Sequence, residues 1–527
     1  MSRPRYGWSD RNRDRKHKLP RGRAYSVSDN DVTIGDGTVL KVAHYAPVGV
    51  PRGTLVAMTP YGRMGTMVRG TYGLYAAQGF NVVIASLRGT FGSGGRFDPM
   101  FRDAEDYRDV IAWMRAQSWY TGSFATFGAS YLGWVQWALL TQPQPDHKAA
   151  IIVVGPHDFK GFHWGTGTFT SSLPMWAAIL DAQEKSVMRV IGYALRKGEP
   201  IYRLLRKAPV AEAIYSALSD QKGWLEDRIT HEVDDPYWAP LDLSTVLDRV
   251  TIPVLISSGW QDIFLDQSVE QYARLRGRGV DAALTVGPWE HTKASGGPML
   301  VKEAFEWIGS HLTGDSNPRR ERVHLHVTGA DEWRNLDAWP PAVHSRRLHL
   351  TRDGLADSVS EGDVSFPFDP ENPPTFPGGP LLIGGGYADD TVVGDRQDVF
   401  AVSTPALDRD LEIHGKVAVV LDHSAEHPDS NIFVRLSEID ERGRSRNVAQ
   451  GVRRVYADGV VQIELTPIAH RFTAGHRIRI AVAGGAYPHF PSSPGTGENP
   501  ALAAGRVANR HTIRLSGSYV SLPVSEP

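Results

Sequence analysis

Short apolar runs alternate with helical patterns over the first three hundred residues, and this alternation constrains the fold more than any other feature. The runs lie at 54–59, 80–87, 123–127, 149–154, 252–257 and 281–287. Helical patterns fall between them, including 103–117, 131–141 and 267–276. Branched apolar runs of this length are typical of strands buried on both faces of a parallel sheet. The first part of the chain is therefore predicted to be an α/β domain.

Two segments depart from this alternation. Residues 160–240 show helical periodicity without a strand pattern, which predicts a helical insertion. Beyond about residue 320, short alternating segments between Pro/Gly/Asp-rich loops predict a jelly roll or β-sandwich. The predicted division is an arm (1–30), an α/β body (31–160 and 241–320), a helical cap (161–240) and a jelly roll (321–527).

Composition excludes several classes of protein. Lys and Arg number 57 against 59 Asp and Glu, so the chain has no overall nucleic-acid footprint. There is no cysteine and no apolar run long enough for a membrane helix. The first 23 residues carry nine Lys/Arg but no apolar signal-peptide core, which favours a cytoplasmic protein. A basic arm could bind nucleic acid or an anionic surface, but we expect this one to be solvated or to lie on the protein's own acidic surface.

The segment Phe127–Gly133 (FGASYLG) is the most informative motif, because it joins a predicted strand to a predicted helix. A serine on such a turn is lifted above the sheet, and the next backbone N–H points towards the atom that the serine attacks. The usual G-x-S-x-G pattern is not met, since Leu132 occupies the second glycine position. A chance G-x-S match remains the alternative, but the placement favours Ser130 as a nucleophile.

A base and an orienting carboxylate follow in the expected order. Asp262 comes after the strand pattern 252–257, and His291 comes after 281–287. In a parallel sheet, both loops lie at the carboxyl ends of the strands, where such sheets place their sites. Each residue alone would be an ordinary polar loop residue, but order and position together favour a Ser-His-Asp triad.

Several further segments match the motifs of one known family. They are Pro60-Tyr61, the serine motif, Gly259-Trp260-x-Asp262, Gly287-Pro288-Trp289-x-His291 and the glycine-rich 88–95 (RGTFGSGG). Together they resemble the CocE/NonD hydrolases, the cocaine esterase and X-prolyl dipeptidyl peptidase group, over nearly the whole chain. The resemblance implies an α/β-hydrolase fold with a helical cap and a C-terminal jelly roll. It also implies that Ser130, His291 and Asp262 form the triad, with the Tyr61 hydroxyl and the Tyr131 N–H as the oxyanion hole.

The chain departs from the family at Ser86, where an Asp is expected before Arg88 in D-x-R-G. This difference puts a local ion pair with Arg88 in doubt. Amino-ester hydrolases that resemble this family also carry acidic residues just beyond the catalytic Asp, whereas Ile263-Phe264-Leu265 is apolar. An unpaired ammonium would be costly to bury there, so the sequence favours neutral, largely apolar acyl groups.

The predicted function is hydrolysis of carboxylic esters through an acyl-enzyme, without cofactor or metal. Several of the aromatic residues are expected to line the acyl pocket, with Trp164, Trp260, Trp289 and Phe264 as candidates. The expected partner is a small-molecule ester or amide, with no nucleic acid or membrane, and homo-oligomerisation is left open. The alternatives are a peptidase or acyltransferase with the same triad, or a catalytically idle binding protein.

Overall fold

A ten-stranded sheet forms the centre of the computed structural model, which describes residues 6–218, 222–231, 233–294, 297–315 and 321–525. Its strands are β1 (Tyr25–Thr33), β2 (Val39–Pro47), β3 (Thr54–Thr59), β4 (Asn81–Ser86), β5 (Phe124–Ala129), β6 (His147–Val153), β7 (Val254–Gln261), β8 (Ala282–Glu290), β9 (Val323–Val327) and β10 (Glu332–Leu336). Their order across the sheet is β1-β2-β4-β3-β5-β6-β7-β8-β9-β10. The pairs from β4 to β9 are parallel, so the carboxyl ends of these strands meet at one edge.

Helices cover both faces of the parallel strands and form the cap. They are α1 (Trp8–Lys16), α2 (Thr66–Ala77), α3 (Asp103–Arg115), α4 (Tyr131–Leu140), α5 (Phe159–Trp164), α6 (Ser172–Gln183), α7 (Val187–Leu195), α8 (Glu199–Tyr202), α9 (Val210–Ala217), α10 (Lys222–Thr230), α11 (Leu265–Gly277), α12 (His291–Ala294) and α13 (Pro298–Ile308). Short 3₁₀ segments occur at Arg203–Arg206, Pro236–Leu241, Ser244–Asp248 and Thr391–Asp395, and a π-helical turn at Gly309–Thr313. Six helices, α5 to α10, follow one another between β6 and β7, in the segment predicted as a helical insertion.

The C-terminal part is a sandwich of two further sheets. Its strands are β11 (Val343–Leu350), β12 (Leu355–Ala356), β13 (Asp363–Phe368), β14 (Val399–Ser403), β15 (Leu411–Gly415), β16 (Ala418–Ala425), β17 (Ser430–Ile439), β18 (Ser445–Val455), β19 (Gly459–Glu464), β20 (Ile468–Phe472), β21 (Arg477–Ala483) and β22 (Asn509–Ser525). Strands β14, β21, β17 and β18 form the smaller sheet, and the other eight form the larger one. Leu348 and Val419 of one sheet share a buried apolar core with Val434 and Ile480 of the other. The predicted α/β body with a C-terminal all-β domain is confirmed.

Two predicted boundaries differ from the observed strands. The arm is predicted to span 1–30, but β1 begins at Tyr25 and pairs with β2 along its whole length. The jelly roll is predicted to begin at 321, but β9 pairs in parallel with β8, and β10 pairs with β9. The pair β1–β2 lies at one edge of the central sheet and the pair β9–β10 at the other. Edge strands carry more polar side chains, so their apolar pattern is weaker. Residues 323–336 therefore continue the α/β sheet.

The described part of the basic arm folds back on the protein. Asp14 in α1 accepts hydrogen bonds from the Gly22 backbone N–H at 2.9 Å and from Gln78 Nε2 at 3.2 Å. The Arg23 N–H donates to the Ala77 carbonyl at 2.7 Å, which ties the end of the arm to α2. From residue 6 onward, the arm thus lies on the protein's own surface. Within the described ranges, no helix is long and apolar enough to cross a membrane.

Helix α4 and the end of β6 meet through two glycines. A Cβ added at Gly133 would lie 2.5 Å from the Cα of Gly155, well inside the distance that real Cβ atoms allow. The backbone of the helix that follows Ser130 therefore contacts the loop after β6 directly. This contact fixes the start of α4 relative to the sheet.

We predict that Gly133→Ala lowers the melting temperature, because overpacking of a tight contact costs about 1–3 kcal/mol. Gly70→Ala is the matched control. Gly70 lies in α2, and a Cβ added there would have no described neighbouring atom within 4 Å. Alanine is favoured over glycine inside a helix by about 0.5–1 kcal/mol, so this control should leave the melting temperature unchanged or raise it. Equal melting temperatures for Gly133→Ala and the wild type would contradict the packing argument.

Candidate active site

Ser130 occupies a strained turn between β5 and α4. Its φ of 60° and ψ of −121° lie in a region that non-glycine residues rarely adopt. The Ser130 N–H donates to the Val153 carbonyl at 2.9 Å, which holds the turn against β6. A Cβ at Gly128 would lie 2.3 Å from the Cβ of Leu132, so a glycine is required there. Close packing therefore accounts for the G-x-S-x-x-G form of the motif, with Leu132 tolerated at the usual second glycine.

The three predicted triad residues are in hydrogen-bonding contact. His291 Nε2 lies 3.0 Å from Ser130 Oγ, and His291 Nδ1 lies 2.6 Å from Asp262 Oδ1. Asp262 directly follows β7 and His291 directly follows β8, so the parallel edge brings them to the serine. A carboxylate only accepts hydrogen bonds, so Nδ1 carries the imidazole proton and Nε2 is left to accept the serine proton.

Asp262 is held by a second contact. The Ser258 hydroxyl donates to Asp262 Oδ2 at 2.7 Å, and both side chains are fully buried. The two carboxylate oxygens therefore have different partners, one on the imidazole and one on strand β7. This arrangement fixes the orientation of the carboxylate and, through it, the orientation of the His291 ring.

Tyr61 lies in the loop after β3 and faces the serine. Its hydroxyl accepts a hydrogen bond from Trp176 Nε1 at 3.1 Å and is also within hydrogen-bonding reach of Ser130. Burial raises the pKa of the Tyr61 phenol to about 12. The group therefore stays protonated near neutral pH and keeps one proton to donate. A neutral phenol in this position is suited to stabilise negative charge beside the serine.

Tyr131 offers its backbone rather than its side chain. It is the first residue of α4, so its N–H has no carbonyl partner within the helix. The Tyr131 hydroxyl donates to Asp103 Oδ2 at 2.7 Å and accepts from the Met100 N–H at 2.8 Å. Burial raises the pKa of Asp103 to about 7. The side chain is thus anchored to the start of α3, which leaves the amide of Tyr131 next to the serine.

A small cavity of about 30 Å³ opens beside the serine. Most of its wall is aromatic or aliphatic, contributed by α5, α6 and the loop after Asp262. The lining residues are Tyr61, Ser130, Tyr131, Phe159, Phe162, His163, Ser172, Leu173, Trp176, Ile263, Phe264 and Leu382. None of these described residues is acidic or basic apart from the imidazole of His163. The cavity thus suits a neutral group with large apolar faces.

The predicted substrate-binding residues are only partly brought together. Phe264 lines the cavity, but the structure places Trp164, Trp260 and Trp289 elsewhere. The indole N–H of Trp164 donates to the Arg228 carbonyl within the cap, and that of Trp260 donates to the His326 carbonyl of β9. Trp289 packs against Trp333 at a centroid distance of 5.6 Å. These three tryptophans hold elements together instead of forming the acyl wall.

Most of the cavity wall was not predicted from the sequence. Phe159 and Phe162 belong to α5, a single short helix that straddles the predicted start of the cap. Trp176 lies in α6, and nothing in its sequence context distinguishes it from the other tryptophans of the chain. Leu382 comes from the long segment between β13 and β14 of the C-terminal domain, about 250 residues beyond Ser130. No local pattern marks Leu382, because only the tertiary fold brings that segment to the cavity.

Arg88 has carboxylate partners despite the serine at position 86. Its Nη2 and Nε atoms contact the two carboxylate oxygens of Asp106 at 2.7 and 3.0 Å, and Nη1 contacts Asp36 at 2.8 Å. Ser86 Oγ accepts from Arg63 Nη1 at 3.2 Å. The ion pair that the family motif would supply locally is therefore made by α3 and the β1–β2 turn.

The described residues contain no group of three His, Asp or Glu side chains that could hold a metal ion. The segment His231–Asp235 carries four such residues in sequence, of which Glu232 lies outside the described residues. His231 Nδ1 pairs with Asp235 Oδ2 at 2.9 Å, and its ring stacks on Tyr237. This pair closes a local turn.

Comparisons with known proteins agree with this architecture. The X-Pro dipeptidyl-peptidase (S15 family) domain matches residues 36–293, and the X-Pro dipeptidyl-peptidase C-terminal non-catalytic domain matches residues 318–522. The cocaine esterase of Rhodococcus sp. (strain MB1 Bresler) is 26% identical to this chain in an alignment of 538 residues. The alignment covers 90% of this chain and 93% of the esterase.

Two solved structures share the fold over almost the whole chain. An aminopeptidase from a marine sediment Thaumarchaeota archaeon superposes with a TM-score of 0.82 at 20% identity, covering 95% of this chain and 96% of that one. An α-amino acid ester hydrolase superposes with a TM-score of 0.80 at 21% identity, covering 95% and 97%. The two domain matches together span most of the chain, so the chain belongs to the X-Pro dipeptidyl-peptidase (S15) family, the group that the sequence motifs predict, and it is a serine hydrolase.

Proposed function

We propose that this serine hydrolase cleaves carboxylic esters of neutral, largely apolar acyl groups through an acyl-enzyme. The observation that carries the proposal is the position of His291, which bridges Ser130 at 3.0 Å and Asp262 at 2.6 Å beside an apolar cavity. Serine, imidazole and carboxylate in this arrangement activate a hydroxyl for attack on a carbonyl.

In the proposed reaction, His291 Nε2 takes the Ser130 proton as Oγ attacks the ester carbonyl. The Tyr131 N–H and the Tyr61 hydroxyl donate to the developing oxyanion. His291 then gives the proton to the leaving alcohol, and Ser130 remains acylated. A water molecule, activated by the same imidazole, hydrolyses the acyl-enzyme and restores the serine. Asp262 keeps the ring oriented and stabilises its positive charge in both steps.

The electrostatics of the cavity favour a neutral acyl group. Two acids near the cap, Asp158 and Glu184, lie outside the cavity lining. The carboxylate of Asp158 accepts from the Gly161 N–H at 2.8 Å and caps α5, and burial raises its pKa to about 6. Glu184 accepts from the Phe91 N–H at 3.0 Å in a separate recess. An α-ammonium group would thus be desolvated without a carboxylate partner.

Amide cleavage is the second candidate function, favoured by the match to the X-Pro dipeptidyl-peptidase domain. The same triad could act on amides, but an amine leaves less readily than an alkoxide. Acyl transfer to an amine or alcohol would differ only in the second nucleophile. An ester and amide panel, assayed with and without added amines or alcohols, separates these activities.

Ser130→Ala is expected to leave a folded protein with turnover lowered by at least about three orders of magnitude, since only binding and oxyanion groups remain. Ester turnover and labelling by a fluorophosphonate probe both measure this. Ser171→Ala is the control, because this buried serine does not line the cavity. A Ser130→Ala protein that kept more than about a tenth of wild-type turnover would exclude Ser130 as the nucleophile.

Tyr61→Phe is expected to lower kcat by about 10²–10³-fold with little change in KM, the loss seen when one oxyanion donor is removed. Tyr75→Phe serves as the matched control. The Tyr75 hydroxyl is buried in the body and has no hydrogen-bond partner among the described residues. If Tyr61→Phe and Tyr75→Phe gave equal rates, the phenol of Tyr61 would have only a packing role.

Phenylacetyl esters are expected to be hydrolysed faster than the matched phenylglycyl esters, which add only the α-amino group. The cavity offers no carboxylate for the ammonium, and burying an unpaired charge costs several kcal/mol. The comparison uses kcat/KM at a pH at which the amine is protonated. A preference of about tenfold or more for the aminated ester would contradict the proposal and favour an aminopeptidase.

A further inference from the structure

Two polar side chains interrupt the apolar wall of the cavity. His163 belongs to α5 and Ser172 to α6, and each side chain is only 2% exposed. Neither ring nitrogen of His163 nor the hydroxyl of Ser172 has a hydrogen-bond partner among the described residues. Two separate cap helices therefore place residues with unpaired polar atoms in the wall of the cavity that contains Ser130.

Unpaired polar atoms are costly at such a position. A hydroxyl or ring nitrogen removed from water without a partner costs about 1–3 kcal/mol, and most buried polar groups in folded proteins are hydrogen-bonded. The ring of His163 packs among Phe159, Phe162 and Trp238. A phenylalanine would fill this position without the penalty, so packing alone does not account for an imidazole there.

The imidazole of His163 is neutral. Burial, together with the nearby charge of Arg228, holds the pKa of His163 well below its usual range. Arg228 is itself fully buried and donates from Nη2 to the Pro99 carbonyl at 2.6 Å. A neutral imidazole has one N–H donor and one acceptor nitrogen. The complementary ligand group is therefore uncharged and can both donate and accept.

We propose that His163 and Ser172 form a subsite that hydrogen-bonds a hydroxyl on an aromatic acyl group. The inference rests on the proposed function, since it concerns the acyl group that Ser130 would receive. A hydroxyl donates one hydrogen bond and accepts others, which matches both side chains. Phe159, Phe162 and Phe264 supply the aromatic faces on which an aryl ring packs. The nearby charge of Arg228 also disfavours a cation at the same position.

The test compares methyl phenylacetate with its 2-, 3- and 4-hydroxy analogues. We expect kcat/KM to be about tenfold or more higher for at least one hydroxy isomer, because a site built to bind a hydroxyl discriminates against ligands that lack it. In His163→Phe and in Ser172→Ala alike, this ratio should fall to within about threefold of unity. Ser171→Ala is the matched control, since its hydroxyl is equally buried but does not line the cavity.

Binding to Ser130→Ala, measured by calorimetry, gives a readout that does not depend on turnover. The preferred hydroxy ester should bind about tenfold more tightly than methyl phenylacetate, and adding His163→Phe or Ser172→Ala should remove the difference. Ser172→Ala keeps the test valid if His163→Phe does not fold. Equal affinities for all four esters, or a preference that persists in both variants, would overturn the subsite. Failure of every ester to turn over, with the binding preference intact, would instead count against the proposed function alone.

Discussion

The left-handed backbone at Ser130 is the constraint on which the rest of the site depends. Such a conformation costs about 1–3 kcal/mol and persists only where the surroundings enforce it. Here the enforcement comes from Gly128 packed on Leu132, Gly133 packed on Gly155, and the hydrogen bond from Ser130 to Val153. All three contacts lie at the carboxyl ends of β5 and β6. This backbone conformation thus directs the serine hydroxyl away from the sheet and towards the loops after β7 and β8.

This dependence explains why the triad was predictable from the sequence. Each of its members directly follows a strand whose apolar run is unmistakable, and in a parallel sheet the ends of successive strands must meet. Ser130 and His291 are far apart in the sequence, but the parallel sheet brings the ends of their strands to the same edge. The motif alone did not suffice, since Leu132 breaks the usual pattern. Strand position and residue order supplied the remaining information.

The acyl cavity lacked any comparable local signal. Trp164, Trp260 and Trp289 were plausible wall residues by composition, but two of them donate their indole N–H to buried carbonyls in structural contacts. The residues that do line the cavity depend on how the cap folds over the sheet, which periodicity does not determine. The same limit applies to the edge strands. The polar alternation of β1 resembles a loop, and β9 reads like a strand of the C-terminal sandwich until its pairing with β8 is known.

The C-terminal domain is tied to the site through the residue next to Asp262. Gln261 is the last residue of β7, and its Nε2 donates to the Val448 carbonyl of β18 at 2.9 Å. Asn447 Nδ2 donates back to Gln261 Oε1 at 3.1 Å. Both side chains are buried, so these bonds are shielded from water. Asp262 directly follows Gln261, and Leu382 of the C-terminal domain lines the cavity. The C-terminal domain therefore contacts both the residue next to Asp262 and the acyl cavity. It fixes the strand end that carries the carboxylate and completes the wall that the acyl group would contact.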